Sequence, residues 1–256
     1  MTARAGGAAG VPVARARVLE LLRHECRISS SDAGALATIV AAAFLFAGFT
    51  YPALPQPDGL AGFEVFFALF LIPSLGNRVY REYQWQVWDR MRLVRAPFRL
   101  VVVCKALSMT LQAAVTAAVA LLATELVFRR SCLSTFAVSL LAVLALSLLI
   151  AGATLALNNL VGTVITFSAG AYAVAVAMGG LSGALVPSAR IYPHWLQPIM
   201  HYSPVRPVVM ALRDAVNGGA LASVARNLLP EIPWIVVAWI LGAALFASAK
   251  RRSGWS

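Results

Sequence analysis

Apolar residues in this chain come in long unbroken blocks, and polar residues gather in short clusters between them. The blocks run over about 33–51, 60–76, 106–128, 136–157, 161–186 and 229–249. Each approaches the ~20 residues that a helix needs to cross the hydrocarbon of a bilayer. None shows the short alternation of a membrane β-barrel strand. The pattern predicts an all-α polytopic membrane protein with six transmembrane helices. Residues 12–29 carry a different pattern. Ala14, Val18, Leu19, Leu21, Leu22 and Ile28 fall on one helical face and Arg17, Glu20, Arg23, His24 and Arg27 on the other, with Arg15 and Glu25 interrupting. That amphipathic pattern predicts an interfacial helix lying on the membrane.

The connections are punctuated by turn formers. Pro52, Pro55, Pro57 and Gly59 separate the first two spans, Arg129 to Ser131 the third and fourth, and Asn158 with Asn159 the fourth and fifth. Residues 187–229 hold five prolines among Leu196, Ile199, Met200, Val205, Val208, Val209 and Met210. They are expected to form short helices dipping into the outer leaflet. One transmembrane domain over 1–256 is expected, with an interfacial helix at 12–29, a basic cytoplasmic loop at 77–105 and an extracytoplasmic segment at 187–229.

Composition agrees. Apolar residues make up 60% of the chain, charged residues 12%, and mean hydropathy is +0.79. Soluble domains average about 45–50% apolar and about 25% charged, so an ordinary soluble protein is excluded, and so is a disordered one. The net charge of +11 would point to nucleic acid in a soluble chain; in a membrane protein it reports sidedness. With the N-terminus inside, 15 Lys and Arg fall on the inner side and 6 on the outer. The positive-inside rule then places both termini in the cytoplasm. Of 21 basic residues only Lys105 and Lys250 are lysine; with the Ala richness this suggests a GC-rich bacterial genome. The expected location is the bacterial plasma membrane. Residues 1–10 lack the apolar run of a cleavable signal. No nucleic-acid partner is expected.

Candidate chemistry is sparse. Cys26, Cys104 and Cys132 are far apart and form no C-x-x-C, so neither a disulfide framework nor a zinc site is expected. His194 and His201 lack a nearby carboxylate at ligand spacing. A phosphate-binding loop needs Lys followed by Ser or Thr, yet Lys105 precedes Ala106 and Lys250 precedes Arg251. If the protein works with ATP, another chain hydrolyses it. G-x-S-x-G and H-E-x-x-H are absent as well. Glu64, Glu125 and Glu231 sit near the outer ends of spans 2, 3 and 6, where they are expected to reach the headgroups. Gly179 and Gly183 form a G-x-x-x-G suited to close helix contact. Phe44, Phe46 and Phe49 in span 1, with Phe63, Phe66, Phe67 and Phe70 in span 2, form a wall that either lines a route for a hydrophobic compound or serves interhelical and lipid packing. The loop 77–105 joins charges to Trp85 and Trp88, a combination favoured in protein docking and in headgroup binding.

Three groups of residues resemble the membrane subunit of type-2 ABC exporters, the ABC-2 permease family. The first is the six-span layout behind an amphipathic helix. The second is Arg81-Glu82 followed by Leu93-Val94-Arg95-Ala96-Pro97 and a closing Lys105. The third is the outer stretch Leu181 to Pro187, Tyr192-Pro193-His194-Trp195-Leu196-Gln197-Pro198, Ser203-Pro204 and Ala211-Leu212-Arg213, which is closest to the daunorubicin-resistance-type branch of actinobacteria. The chain departs from the family where Glu82-Tyr83-Gln84-Trp85 replaces a common Glu-x-Gly-Thr. The resemblance implies a transport subunit rather than an enzyme, with ABC ATPase subunits as partners, ATP and magnesium bound on them, and no cofactor or metal on this chain. It implies a second permease, identical or paralogous, and a setting of membrane lipids. Arg81, Glu82, Trp85, Trp88, Asp89 and Arg92 would couple to the ATPase. Phe46, Phe49, Phe63, Glu64, Phe67 and Phe70 would border the substrate path, and the cargo would be a drug, a lipid or a lipid-linked glycan. The alternatives are a secondary transporter that needs no ATP and an intramembrane lipid-modifying enzyme.

Overall fold

The computed structural model describes residues 57–84, 98–127, 133–160, 163–184 and 193–252, with isolated positions at 23, 37, 40–42 and 45. The predicted interfacial helix, the first span and residues 85–97 of the basic loop lie outside the described residues, apart from those isolated positions. The described residues form helices α1 (Pro57–Leu69), α2 (Leu71–Gln84), α3 (Phe98–Val127), α4 (Leu133–Leu160), α5 (Val164–Leu181), α6 (Leu196–His201), α7 (Arg206–Val216), α8 (Leu221–Leu228) and α9 (Glu231–Arg252), with no strand among them.

Ala61–Glu82, Leu100–Glu125, Thr135–Leu160 and Val164–Leu181 are each long and apolar enough to cross a membrane. A fifth span results if α8 and the start of α9, bent by 48° at their junction, are taken together. The second span is longer than its hydropathy suggested. Helix continues through the charged residues Asn77–Gln84, and Phe98–Lys105 is likewise helical, so both ends of the basic loop are built into helices. The reason is visible in the burial of Arg78, Glu82 and Lys105, taken up below.

Local breaks follow from single residues. Pro73 has no N–H to offer the carbonyl of Leu69, and its ring crowds that carbonyl. The span breaks at Phe70, whose N–H bonds the Phe67 carbonyl at 3.0 Å in a tightened turn. Asn158 and Asn159 do not form the expected turn. Their side-chain amides donate to the carbonyls of Thr154 and Leu155, four residues back, at 3.1 and 2.7 Å. Ser147 and Thr154 do the same on α4. Polar side chains satisfied by their own helix can sit in apolar surroundings. Helix α5 is capped by the Thr163 hydroxyl, which accepts from the Thr166 N–H, and it ends in Gly183 at φ 76°, a left-handed conformation with little cost only for glycine.

The core is organised by α4, which contacts α2, α3, α7 and α9. Helix α7 is inserted against α1 and α4, burying Val208, Val209, Ala211, Leu212 and Ala215. The segment after span 5 therefore belongs to the folded core as well as to its rim. Helices α1 and α2 run antiparallel to α5 and touch it at three levels through glycine. Carbon built on Gly62 would fall 1.9 Å from the Ala184 carbonyl oxygen, on Gly179 2.4 Å from Phe66, and on Gly76 2.0 Å from the Phe167 ring. The G-x-x-x-G pair read from sequence splits into two tasks: Gly179 packs against span 2, and Gly183 turns the chain.

Candidate functional site

Among the described residues, an ionic cluster stands at the base of the basic loop and an aromatic cluster farther along the second span.

The ionic cluster joins α2 to α3. The Lys105 ammonium donates to one oxygen of Glu82. Arg78 Nε stands 3.6 Å from the other oxygen, and Arg78 Nη1 donates to Gln112 Oε1 at 2.8 Å. Glu82 and Lys105 are each 1% exposed. Charges so far from water persist only when opposite charge and hydrogen bonds replace hydration. Arg78 and Glu82 stand four apart on α2, one above the other, and Lys105 meets them from the first turns of α3. The end of α2 and the start of α3, which flank residues 85–97 in the chain, are therefore tied by a buried ion pair.

The aromatic cluster forms where Pro73 breaks span 2. Phe66 meets Phe67 and Phe70 edge-on, with centroids 5.6 and 5.2 Å apart. Phe70 meets Tyr172 of α5 at 5.8 Å. The three phenylalanines are half-buried, and Tyr172 is 48% exposed. Edge-on ring pairs use the quadrupoles of both rings favourably. Further toward the ionic cluster, Ser168 donates to Asn77 Oδ1 at 2.8 Å, and Tyr80 stacks at a tilt on Phe167.

The opposite end of the bundle carries three further carboxylates, Glu64, Glu125 and Glu231. Glu125 and Glu231 are buried, and among the described residues both oxygens of each lack a hydrogen-bond partner, as does one oxygen of Glu64. Glu64 meets the Thr124 hydroxyl and lies close to Glu125. The expectation that these acids reach the headgroups is corrected: the helices packed around them close that route. Arg213 of α7 donates to the Gly183 carbonyl at 2.8 Å, tying the inserted helix to the end of α5. An open apolar groove of about 510 Å³ lies between α5 and α6, lined by Val174, Ala177, Met178, Leu181, Ile199 and Tyr202 among others.

Of the coupling residues read from sequence, Glu82 is buried in the ionic cluster and Arg81 is half-buried. Trp85, Trp88, Asp89 and Arg92 lie outside the described residues, as do Phe46 and Phe49. Of the proposed path, Phe67 and Phe70 belong to the aromatic cluster, Phe63 is turned into the core, and Glu64 faces Thr124 on α3. Sequence reasoning missed Arg78, Gln112 and Lys105 as one network, and missed Tyr172. The clue to the first was a lone lysine flanked by apolar residues in an Arg-rich chain. The clue to the second was a tyrosine in the middle of a run of Ala, Gly and Val.

No curated protein matches the chain. Its sequence does match the profile of the ABC-2 type transporter family over residues 26–217. That stretch is three quarters of the chain, and it takes in both clusters and the inserted helix α7. With membrane-length helices built as a multi-pass bundle and no phosphate-binding loop in the sequence, the chain belongs to the ABC-2 type transporter family, as the membrane component of an ABC-type transporter.

Proposed function

We propose that this chain is the permease subunit of an ATP-driven exporter that moves a hydrophobic or amphiphilic compound across a bacterial plasma membrane. A drug, a lipid or a lipid-linked glycan fits this description. ATP and magnesium bind on partner ATPase subunits, and a second permease, identical or paralogous, completes the pathway. Both termini lie in the cytoplasm. The observation that carries the reading is the buried Glu82–Lys105 pair at the two ends of the basic segment. A tie between the two ends of the segment lets it move α2 and α3 together.

The mechanism follows from the packing. Closure of the ATPase presses on the segment around 78–99, where Arg81, Trp85, Trp88, Asp89 and Arg92 form the receiving side. Glu82 and Lys105 pass the displacement to α2 and α3 together. Helix α2 is in turn locked to α5 at Gly76–Phe167 and Asn77–Ser168, so α1, α2 and α5 move as a packed unit between discrete arrangements. Cargo passes along the aromatic side of that unit.

The test has two stages. A tagged chain is purified in mild detergent from its native host, and proteins carrying a phosphate-binding loop are sought at near-equal amount. Charge reversal at Arg81 or Arg92, or truncation of Trp88, is then expected to leave the complex assembled and hydrolysing ATP while transport in proteoliposomes is lost. Normal transport by all three variants would overturn the coupling assignment. Transport that needs no ATP and follows a proton gradient would replace the reading with a secondary carrier, and lipid turnover by the chain alone would replace it with an enzyme.

A further inference from the structure

The groove between α5 and α6 is apolar apart from two hydroxyl-bearing residues. Val174, Met178 and Leu181 line it from α5, and Ile199, Tyr202 and Ser203 from the segment that follows. At 3.6 residues per turn the three α5 residues stand about 120–180° round the helix from Tyr172, so the groove lies on the flank turned away from the aromatic cluster. It follows the last two turns of α5, which ends at Leu181, for ~10 Å.

Its polar groups are few and uncommitted. Ser203 is 6% exposed, and its hydroxyl has no hydrogen-bond partner among the described residues. A serine hydroxyl swings between staggered positions about a single bond, and a donor buried among apolar atoms gains most from an acceptor brought to it. Arg206 opens α7 one turn later, its N–H bonded to the Ser203 carbonyl at 3.2 Å. Arg206 is half-buried, and its guanidinium meets neither an acid nor a hydrogen-bond acceptor among the described residues. Trp195 and Tyr202, at the two ends of α6, are 70% and 72% exposed. Exposed Trp and Tyr gather where hydrocarbon gives way to lipid headgroups.

A phospholipid matches all of these features. Its acyl chain needs an apolar trough, its ester carbonyl a donor and its phosphate a cation, and the aromatic pair marks the level at which the two halves meet. An extended peptide would bring backbone groups that the apolar wall leaves unmet, whereas a hydrocarbon chain brings none. We infer that the groove holds one anionic phospholipid, with an acyl chain along Val174, Met178 and Ile199, an ester carbonyl accepting from Ser203, and the phosphate on Arg206. The lipid is a resident ligand that bridges α5 to the segment after it. The site needs no cargo and no ATP, so it stands apart from the transport reading.

The test uses the full chain, with the subunits that co-purify, in detergent micelles. A phosphatidylglycerol with a photoactivatable diazirine on one acyl chain is added, and crosslinked peptides are identified by mass spectrometry. Label is expected to concentrate on residues 174–181 and 199–203, well above the exposed ridge of Val103, Leu107 and Leu111 on α3, which reports bulk lipid. Unlabelled phosphatidylglycerol is expected to displace it at ~10-fold lower concentration than phosphatidylcholine with the same chains, and Arg206→Gln to erase that difference. The diester is expected to compete ~5-fold better than its dialkyl ether analogue, and Ser203→Ala to make the two equal. Equal labelling of the groove and the α3 ridge would make the lipid bulk lipid and overturn the site. Equal displacement by the two headgroups in the native chain would overturn the assignment of the phosphate to Arg206, and an ester preference that survives Ser203→Ala would overturn the role of the hydroxyl. Groove label found on single chains and lost in oligomeric fractions would give the groove to a protein interface and overturn the proposal.

Discussion

Glu82 and Lys105 lose nearly all contact with water, and each is held by the charge of the other. Breaking such a pair from one side strands a buried charge, at a cost of ~3–5 kcal/mol. Replacing both partners with apolar residues of similar size is far milder. Lys105→Met and Glu82→Gln are therefore each expected to lower the thermal stability of the purified chain sharply, and the Glu82→Leu, Lys105→Met double variant to recover most of it. The double variant is the informative one for function. With the fold restored and the ionic tie gone, transport per ATP hydrolysed is expected to fall. If stability and coupling both return, the pair serves folding only. Hydropathy alone placed Lys105 among loop charges, because a one-dimensional window cannot register a partner 23 residues away.

At the scale of elements, the contact between span 2 and α5 depends on which atoms face each glycine. Added carbon at Gly62 meets a backbone carbonyl of Ala184, which cannot move without shifting the end of α5. At Gly76 it meets the Phe167 ring, a side chain that substitution can shorten. At Gly170 nothing lies within 4 Å. Overpacking typically costs ~1–3 kcal/mol. Unfolding measured in nanodiscs is thus expected to rank Gly62→Ala as the most damaging, to show Gly76→Ala rescued by Phe167→Leu, and to show Gly170→Ala as silent. Gly62→Ala as mild as Gly170→Ala would contradict the close approach of α1 to the end of α5. The composition made all three glycines look alike, since Gly and Ala are common throughout the spans.

For the whole molecule, the distribution of Lys and Arg sets an expected orientation that is directly measurable. In a chain whose three native cysteines are replaced by alanine, Ser131→Cys lies in sequence between α3 and α4, and Ser253→Cys after α9. A membrane-impermeant thiol reagent applied to intact cells is expected to label position 131 and to spare position 253 until the cells are opened. The reverse pattern would invert the molecule, and labelling of both would break the even span count. The same orientation puts the buried acids Glu64, Glu125 and Glu231 toward the outer leaflet and the ionic cluster toward the cytoplasm.

The class of protein was legible in the sequence because bilayer thickness imposes a length on every apolar block, and that constraint is local. The membrane-length helices, the missing phosphate-binding loop and the family motifs all follow from residues near one another in the chain. Three other features needed the tertiary structure. Pairing of Glu82 with Lys105 extends helices into what hydropathy reads as loop, because a buried ion pair makes charged residues compatible with a packed interior. Insertion of α7 against α1 and α4 turns an apparently peripheral segment into core. Tyr172 meets Phe70 across 102 positions of chain, and only antiparallel packing of α5 on span 2 brings them together. Such contacts are set by which helix faces which, and the periodicity of one helix carries no information about the partner that covers it.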